Sequence, residues 1–137
     1  MTVEIILSYP PIIDDIVKVF PAVKQTKGVI FSWGDRIYNP DDIIITPSLH
    51  AHELVHGQRQ TADESAIVKW WQTYLADMEF RLNEEILGHK AELAHQLKTI
   101  KDRNQRNMLL HQIAARLSGP VYGNIISLTE AKRRLNP

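Results

Sequence analysis

The chain contains no cysteine, which excludes disulfides, thiol nucleophiles and thiolate zinc sites together. It has no excess of either charge: sixteen Lys and Arg balance sixteen Asp and Glu. Affinity for phosphates needs a basic surplus, so a nucleic-acid partner is not expected. No apolar run approaches the ~20 residues of a membrane span, so no membrane partner is expected either. The stretch from Val3 to Leu7 is too short for a signal peptide and lacks its basic flank. The expectation is a cytoplasmic protein. Repeats, low-complexity tracts and linkers are also lacking, so residues 1–137 read as one domain. What is present is an ordinary globular composition, 44% hydrophobic and 23% charged, with six histidines as its one distinctive resource.

The N-terminal third reads as mixed strand and helix. Val3 to Leu7 is a short strand stopped by Pro10-Pro11, and Ile12 to Phe20 has helical periodicity ended by Pro21. Val29 to Tyr38 reads as a β-hairpin turning at Gly34-Asp35, and Ile43 to Ile45 as a further strand. Beyond Thr46, an N-cap followed by Pro47, the pattern is helical. The first helix runs to about Gln60. Thr61-Ala62-Asp63-Glu64 has capping-box spacing and opens a second, whose Ile67, Trp70, Trp71, Tyr74, Leu75 and Met78 form a core-facing stripe. Further helices span about Glu79 to Ile100 and Lys101 to Ser118. After the Gly119-Pro120 break, a capping box at Ser127 to Glu130 starts a short terminal one. The fold class is α+β, a small N-terminal antiparallel sheet followed by a mostly helical core.

His52-Glu53-Leu54-Val55-His56 is the sharp chemical signal. Histidines four apart on a helix differ by about 40° around its axis and ~6 Å along it, so both imidazoles can reach one metal ion. Glu53 lies near the same face, placed to take a proton from a water beside the metal. Ala51, Leu54, Val55 and Gln58 occupy the opposite face and read as the side that enters the core, leaving Leu49, His52, Glu53 and His56 to face a cleft. At this composition the pattern arises by accident roughly 1–2% of the time. His50 falls away from both ligands and reads as a surface or supporting residue.

Two histidines do not complete a catalytic zinc site, which usually takes three protein ligands. Metzincins place a glycine and a histidine three and six residues beyond the second ligand, where Arg59 and Ala62 stand here, so that class is excluded. Asp63 is an outlying option that its capping position explains more simply. Glu84, Glu85 and Glu92 on a later helix are better sources, and periodicity does not choose between Glu84 and Glu85.

His52-Glu53-x-x-His56, the tryptophan and tyrosine helix, Arg81-x-x-x-Glu85-x-x-Gly88-His89 and Leu117-Ser118-Gly119-Pro120-Val121-Tyr122-Gly123 together resemble the small metallopeptidases of phages and prophages, which are similar to gluzincins. The resemblance covers roughly residues 29 to 131. It implies a zincin-like core, a Zn2+ cofactor, and Glu85, 29 residues beyond His56, as third metal ligand. The relatives carry a Glu-x-x-Ala-Tyr-like segment where this chain has Glu85-x-x-Gly88-His89.

Two imidazoles and one carboxylate leave a zinc site near +1, enough to bring the pKa of a bound water from 15.7 to about 7. Glu53 is then the expected general base, and Tyr122, freed by the Gly-Pro break, the expected oxyanion donor, with His111 as runner-up. The expected partner is a peptide or protein substrate, lying along an edge strand from Ile43 to Ile45 or from the hairpin. The alternative is a catalytically silent metal-binding structural or interaction protein of phage or prophage origin, with His89 or His95 closing the site as a fourth ligand.

Overall fold

A computed structural model of the chain describes residues 3–137. It is an α+β structure with six helices and one three-stranded sheet. Strand β1 (Glu4–Ile6) leads through α1 (Ile13–Val19) and a 3₁₀ turn (Pro21–Lys24) to β2 (Phe31–Trp33) and β3 (Arg36–Tyr38). The long helices follow: α2 (Pro47–Gln60), α3 (Glu64–Ala76), α4 (Met78–Leu97) and α5 (Arg103–Leu117). A 3₁₀ turn (Pro120–Tyr122) and α6 (Leu128–Leu135) complete the chain. No described helix is long and apolar enough to cross a membrane.

The sheet has the order β1-β3-β2 and is mixed, not antiparallel throughout. β2 and β3 form the expected hairpin, while β1 pairs in parallel with β3, Glu4 opposite Arg36 and Ile6 opposite Tyr38. Helix α1 lies between β1 and the hairpin in sequence, a crossover connection that permits parallel pairing. Ile43 to Ile45 is not a strand. Asn39 holds Ile43 from both sides, its amide bonding the Ile43 carbonyl at 2.9 Å and its oxygen accepting from the Ile43 amide at 3.1 Å. This ties the segment into a loop in which Ile44 is 89% exposed.

Helix α2 has the predicted bounds, and the Thr46 hydroxyl accepts from the Leu49 amide as its cap. The start of α3 differs. Thr61 has φ +66° at the end of α2, and the cap is Asp63, whose carboxylate accepts from Ala66. Glu64, freed from any capping role, accepts from the Trp33 indole at 3.0 Å and pairs with Arg36.

Two hydrophobic clusters fill the interior. One is rich in aromatics and joins the sheet, α1 and α3 through Phe31, Trp33, Tyr38, Trp70, Trp71 and Tyr74. The other is aliphatic and joins α4, α5 and α6 through Ile86, Leu93, Ile113, Leu117 and Leu135. Helix α2 packs mainly on α4, and also on β2 and α3. Leu49, His52, Glu53 and His56 line a cleft, as expected, but the opposite face does not enter the core: His52, Glu53, His56 and Gln60 are buried, while Ala51, Leu54 and Val55 are half-buried and Gln58 is exposed. Polar partners on α4 and β2 make that inversion tolerable, because buried polar groups need hydrogen bonds more than apolar ones need depth.

Candidate metal centre

Helix α4 brings its own polar face against that of α2. Gly88 is where they touch: a Cβ there would stand 2.8 Å from the His52 ring, so only glycine leaves the imidazole its place. His52 Nε2, His56 Nε2 and Glu85 Oε1 then form a triangle with sides of 3.1, 3.1 and 3.3 Å. All three residues are almost fully buried. Ligands on a tetrahedral metal with bonds of about 2.0–2.1 Å stand about 3.3 Å apart, so the triangle has the size of one face of such a site. Protons alone serve it poorly, since one hydrogen between two ring nitrogens and a carboxylate oxygen satisfies one contact and leaves the others facing lone pair to lone pair.

Glu85 is held from behind by Tyr74, whose hydroxyl donates to Oε2 at 2.7 Å. His52 is held by Glu92, with Nδ1 and Oε1 3.1 Å apart, and Arg116 pairs with the other Glu92 oxygen. A carboxylate on the far nitrogen of a metal-binding imidazole fixes its tautomer and raises its basicity. His52, His89 and Glu92 make a second group of closely spaced donors. It uses the opposite nitrogen of His52, and the guanidinium on Glu92 already supplies the positive charge a cation would bring. The first group is therefore the better metal site. No fourth protein ligand joins it among the described residues: His89 Nε2 is 4.0 Å from Glu85 Oε1 and His95 belongs to neither group.

Electrostatics follow from this crowding. Burial pushes the His52 imidazole down, but hydrogen bonds to Glu85 and Glu92 and the charges of Glu53 and Glu85 more than reverse it, to about 10. Burial pushes Glu85 up, yet the neighbouring His56 and His52 hold it well below the usual carboxylate range. Burial dominates at His89 and lowers it to about 4, so its ring is neutral.

Glu53 lies beside the triangle without joining it. The Ser32 hydroxyl bonds Glu53 Oε2 and, at 3.2 Å, the Glu53 carbonyl. Ser32 is in turn fixed by its own carbonyl, which accepts from the Trp71 indole at 3.1 Å. Tyr122 stands edge-on to His89 with ring centroids 5.5 Å apart, and its hydroxyl bonds no other described residue. Burial and the charges of Glu85 and Glu53 raise its pKa, keeping the phenol protonated.

The other sequence-level options are elsewhere. Glu84 is buried but turned to Arg59, with Nε–oxygen distances of 2.7 and 2.8 Å. Asp63 is the exposed cap of α3, and His111 is exposed on α5. Tyr74 and Ser32 escaped the sequence reading. Each carried a signal, a tyrosine within an apolar stripe and a serine inside an aromatic strand, because a buried hydroxyl requires a partner.

His52, Glu53, His56, Glu85 and Tyr122 all line one cleft of about 410 Å³, whose remaining wall includes Phe20, Val29, Phe31 and Val121. The buried His and Glu groups can hold a metal ion. Comparison with known protein families, with curated proteins and with solved structures finds no match.

Proposed function

We propose that this chain is a zinc-dependent peptidase of the gluzincin type, with α2 as the active helix of a zincin-like core. The observation that carries the reading is the triangle of His52, His56 and Glu85 at the wall of an apolar cleft, with the Glu53 carboxylate beside it. Two imidazoles and one carboxylate form a donor set characteristic of catalytic zinc, and the triangle includes no fourth protein donor among the described residues.

When bound, zinc supplies Lewis acidity, which acidifies water and polarises an amide carbonyl. The protein's own groups do the rest. Ser32 anchors Glu53 Oε2, leaving Oε1 to take the proton of the attacking water and hand it to the leaving nitrogen as the C–N bond breaks. The products are one carboxylic acid and one amine. Tyr122 donates a hydrogen bond, keeping its proton, to the oxyanion that forms on the former carbonyl. Tyr74 and Glu92 hold Glu85 and His52 in place. Lys27 to Ile30 run along the cleft wall ahead of β2, so an extended substrate can lie against that segment.

The test is metal content by mass spectrometry, paired with hydrolysis of a mixed peptide library. About one zinc per chain is expected in the wild type and in Glu53→Gln, and little in Glu85→Ala. Hydrolysis is expected in the wild type alone. A wild type that takes up no metal after zinc is added back overturns the proposal. Stoichiometric zinc without cleavage of any library member turns it to the silent metal-binding alternative.

A further inference from the structure

Arg81 is not used by the chemistry above, and its surroundings are unusual for a charge. The side chain is 5% exposed, yet no carboxylate among the described residues lies within ion-pair distance. Two of its nitrogens serve the backbone: Nη1 donates to the Tyr74 carbonyl at 2.7 Å and Nε to the Tyr122 carbonyl at 3.1 Å. The Phe20 ring covers the guanidinium, with its centroid 4.9 Å from Cζ. Nη2 bonds nothing described. It lies beside Gly123, where a Cβ would be 3.7 Å away, and both residues face a recess of about 260 Å³. The rest of that recess is apolar apart from Thr26, and no acidic residue lines it. The C-terminal carbonyls of α3 and the Phe20 and Tyr74 rings offset the charge in part, while the free N–H pair of Nη2 opens on a recess without a counter-charge, where an anion would find donors.

The recess adjoins the main cleft. Phe20, Val23, Thr26, Pro120 and Val121 line both. Arg81 stands one helical turn before Glu85, about 6 Å along α4, a distance that extended peptide covers in about two residues.

We infer that this recess binds a carboxylate of the substrate, so that cleavage falls close to a free C-terminus or to an acidic side chain. The inference rests on the peptidase reading for its substrate, but the recess contains no metal ligand, so binding there is measurable in metal-free protein.

Calorimetry on chelator-treated protein compares short apolar peptides ending in a free carboxylate with the same peptides as C-terminal amides. A third arm carries a glutamate inside an amidated peptide. The free acid is expected to bind about 10- to 100-fold more tightly than the amide. If the amidated glutamate peptide matches the free acid, either carboxylate serves; if it binds like the plain amide, only the C-terminus does. Arg81→Met is expected to erase the preference. Because Arg81 also ties α3 to the Tyr122 turn, Ala22→Trp provides an independent check, as Ala22 lines the recess but not the main cleft. It too is expected to erase the preference by filling the space. Equal affinity for all three peptides in the wild type overturns the inference, as does a preference that survives Ala22→Trp. Absence of zinc or of hydrolysis bears on the peptidase reading alone.

Discussion

The aromatic and aliphatic cores do different work. The aromatic one, between the sheet and α3, buries rings whose polar tips reach outward: Trp71 to the Ser32 carbonyl, Tyr74 to Glu85, Trp33 to Glu64. The aliphatic one, among α4, α5 and α6, buries Ile113, Ala114, Leu117, Ala131 and Leu135, which have no side-chain polar atoms. The candidate centre lies where the polar face of α2 meets α4. The aromatic side supplies donors that orient its carboxylates, and the helical side reaches it through Arg116 on Glu92. The difference teaches that rings are useful beside a polar site because they bury area and still carry a directed hydrogen bond.

Truncation in the aliphatic core sharpens the contrast most. Leu117 is fully buried, and Leu117→Ala is expected to destabilise by about 2–5 kcal/mol. Its zinc stoichiometry at saturation should match the wild type, as thermal melts and metal analysis would show. A large loss of zinc at temperatures where the fold persists would mean the two cores are not separable. Next comes the link between them. Glu92→Gln removes the carboxylate from His52 and Arg116, and metal affinity should fall about 10- to 100-fold in a competition titration with a chelator.

The third effect concerns the metal-free protein. His52 is raised from 6.5 to about 10, so the folded state holds its proton more tightly than the unfolded one. Its contribution is complete below pH 6.5 and is lost as pH rises towards 10. Glu85 and Glu92 are depressed, so theirs is present above the ordinary carboxylate range and lost as pH falls. Buried His89, lowered to about 4, costs stability as pH falls below 6.5, so the stability of chelator-treated protein should peak near pH 6.5 and decline towards pH 10, with a shallower decline in His52→Gln. The smallest effect belongs to the aromatic side. Tyr74→Phe keeps the ring stacked on Trp70 and deletes one bond to Glu85, which should cost about 1 kcal/mol in stability.

Most local signals in the sequence were reliable, although the capping box read at Thr61 to Glu64 gave way to a cap at Asp63. Thr46-Pro47 marked the start of α2, Gly34-Asp35 the hairpin turn, and His52, Glu53 and His56 a shared helical face. Long-range pairing was not legible. Nothing within Val3 to Leu7 says that β1 lies parallel to β3, and nothing within Ile43 to Ile45 says that Asn39 will hold it as a loop. The inverted burial of α2 was hidden for the same reason: apolar periodicity points a helix inward only until another helix offers polar partners, as α4 does through Glu85 and Glu92. Glu84 and Glu85 sit on opposite edges of the α4 stripe, and what separates them is Arg59, which draws Glu84 aside.

Gly57 lies one residue beyond His56, and any side chain there would collide with the Gly34 carbonyl at the tip of the hairpin. Gln60 fastens the same contact, accepting from the Gly34 amide at 2.8 Å and donating to the Ser32 carbonyl at 3.2 Å. Hairpin and helix are thus keyed together, and the strand cannot lift without releasing Ser32 from Glu53. The fluctuation that frees the Glu53 carboxylate is then the same one that exposes the Gly34 amide. Hydrogen–deuterium exchange at that single amide becomes a clock for how often the cleft loses its order.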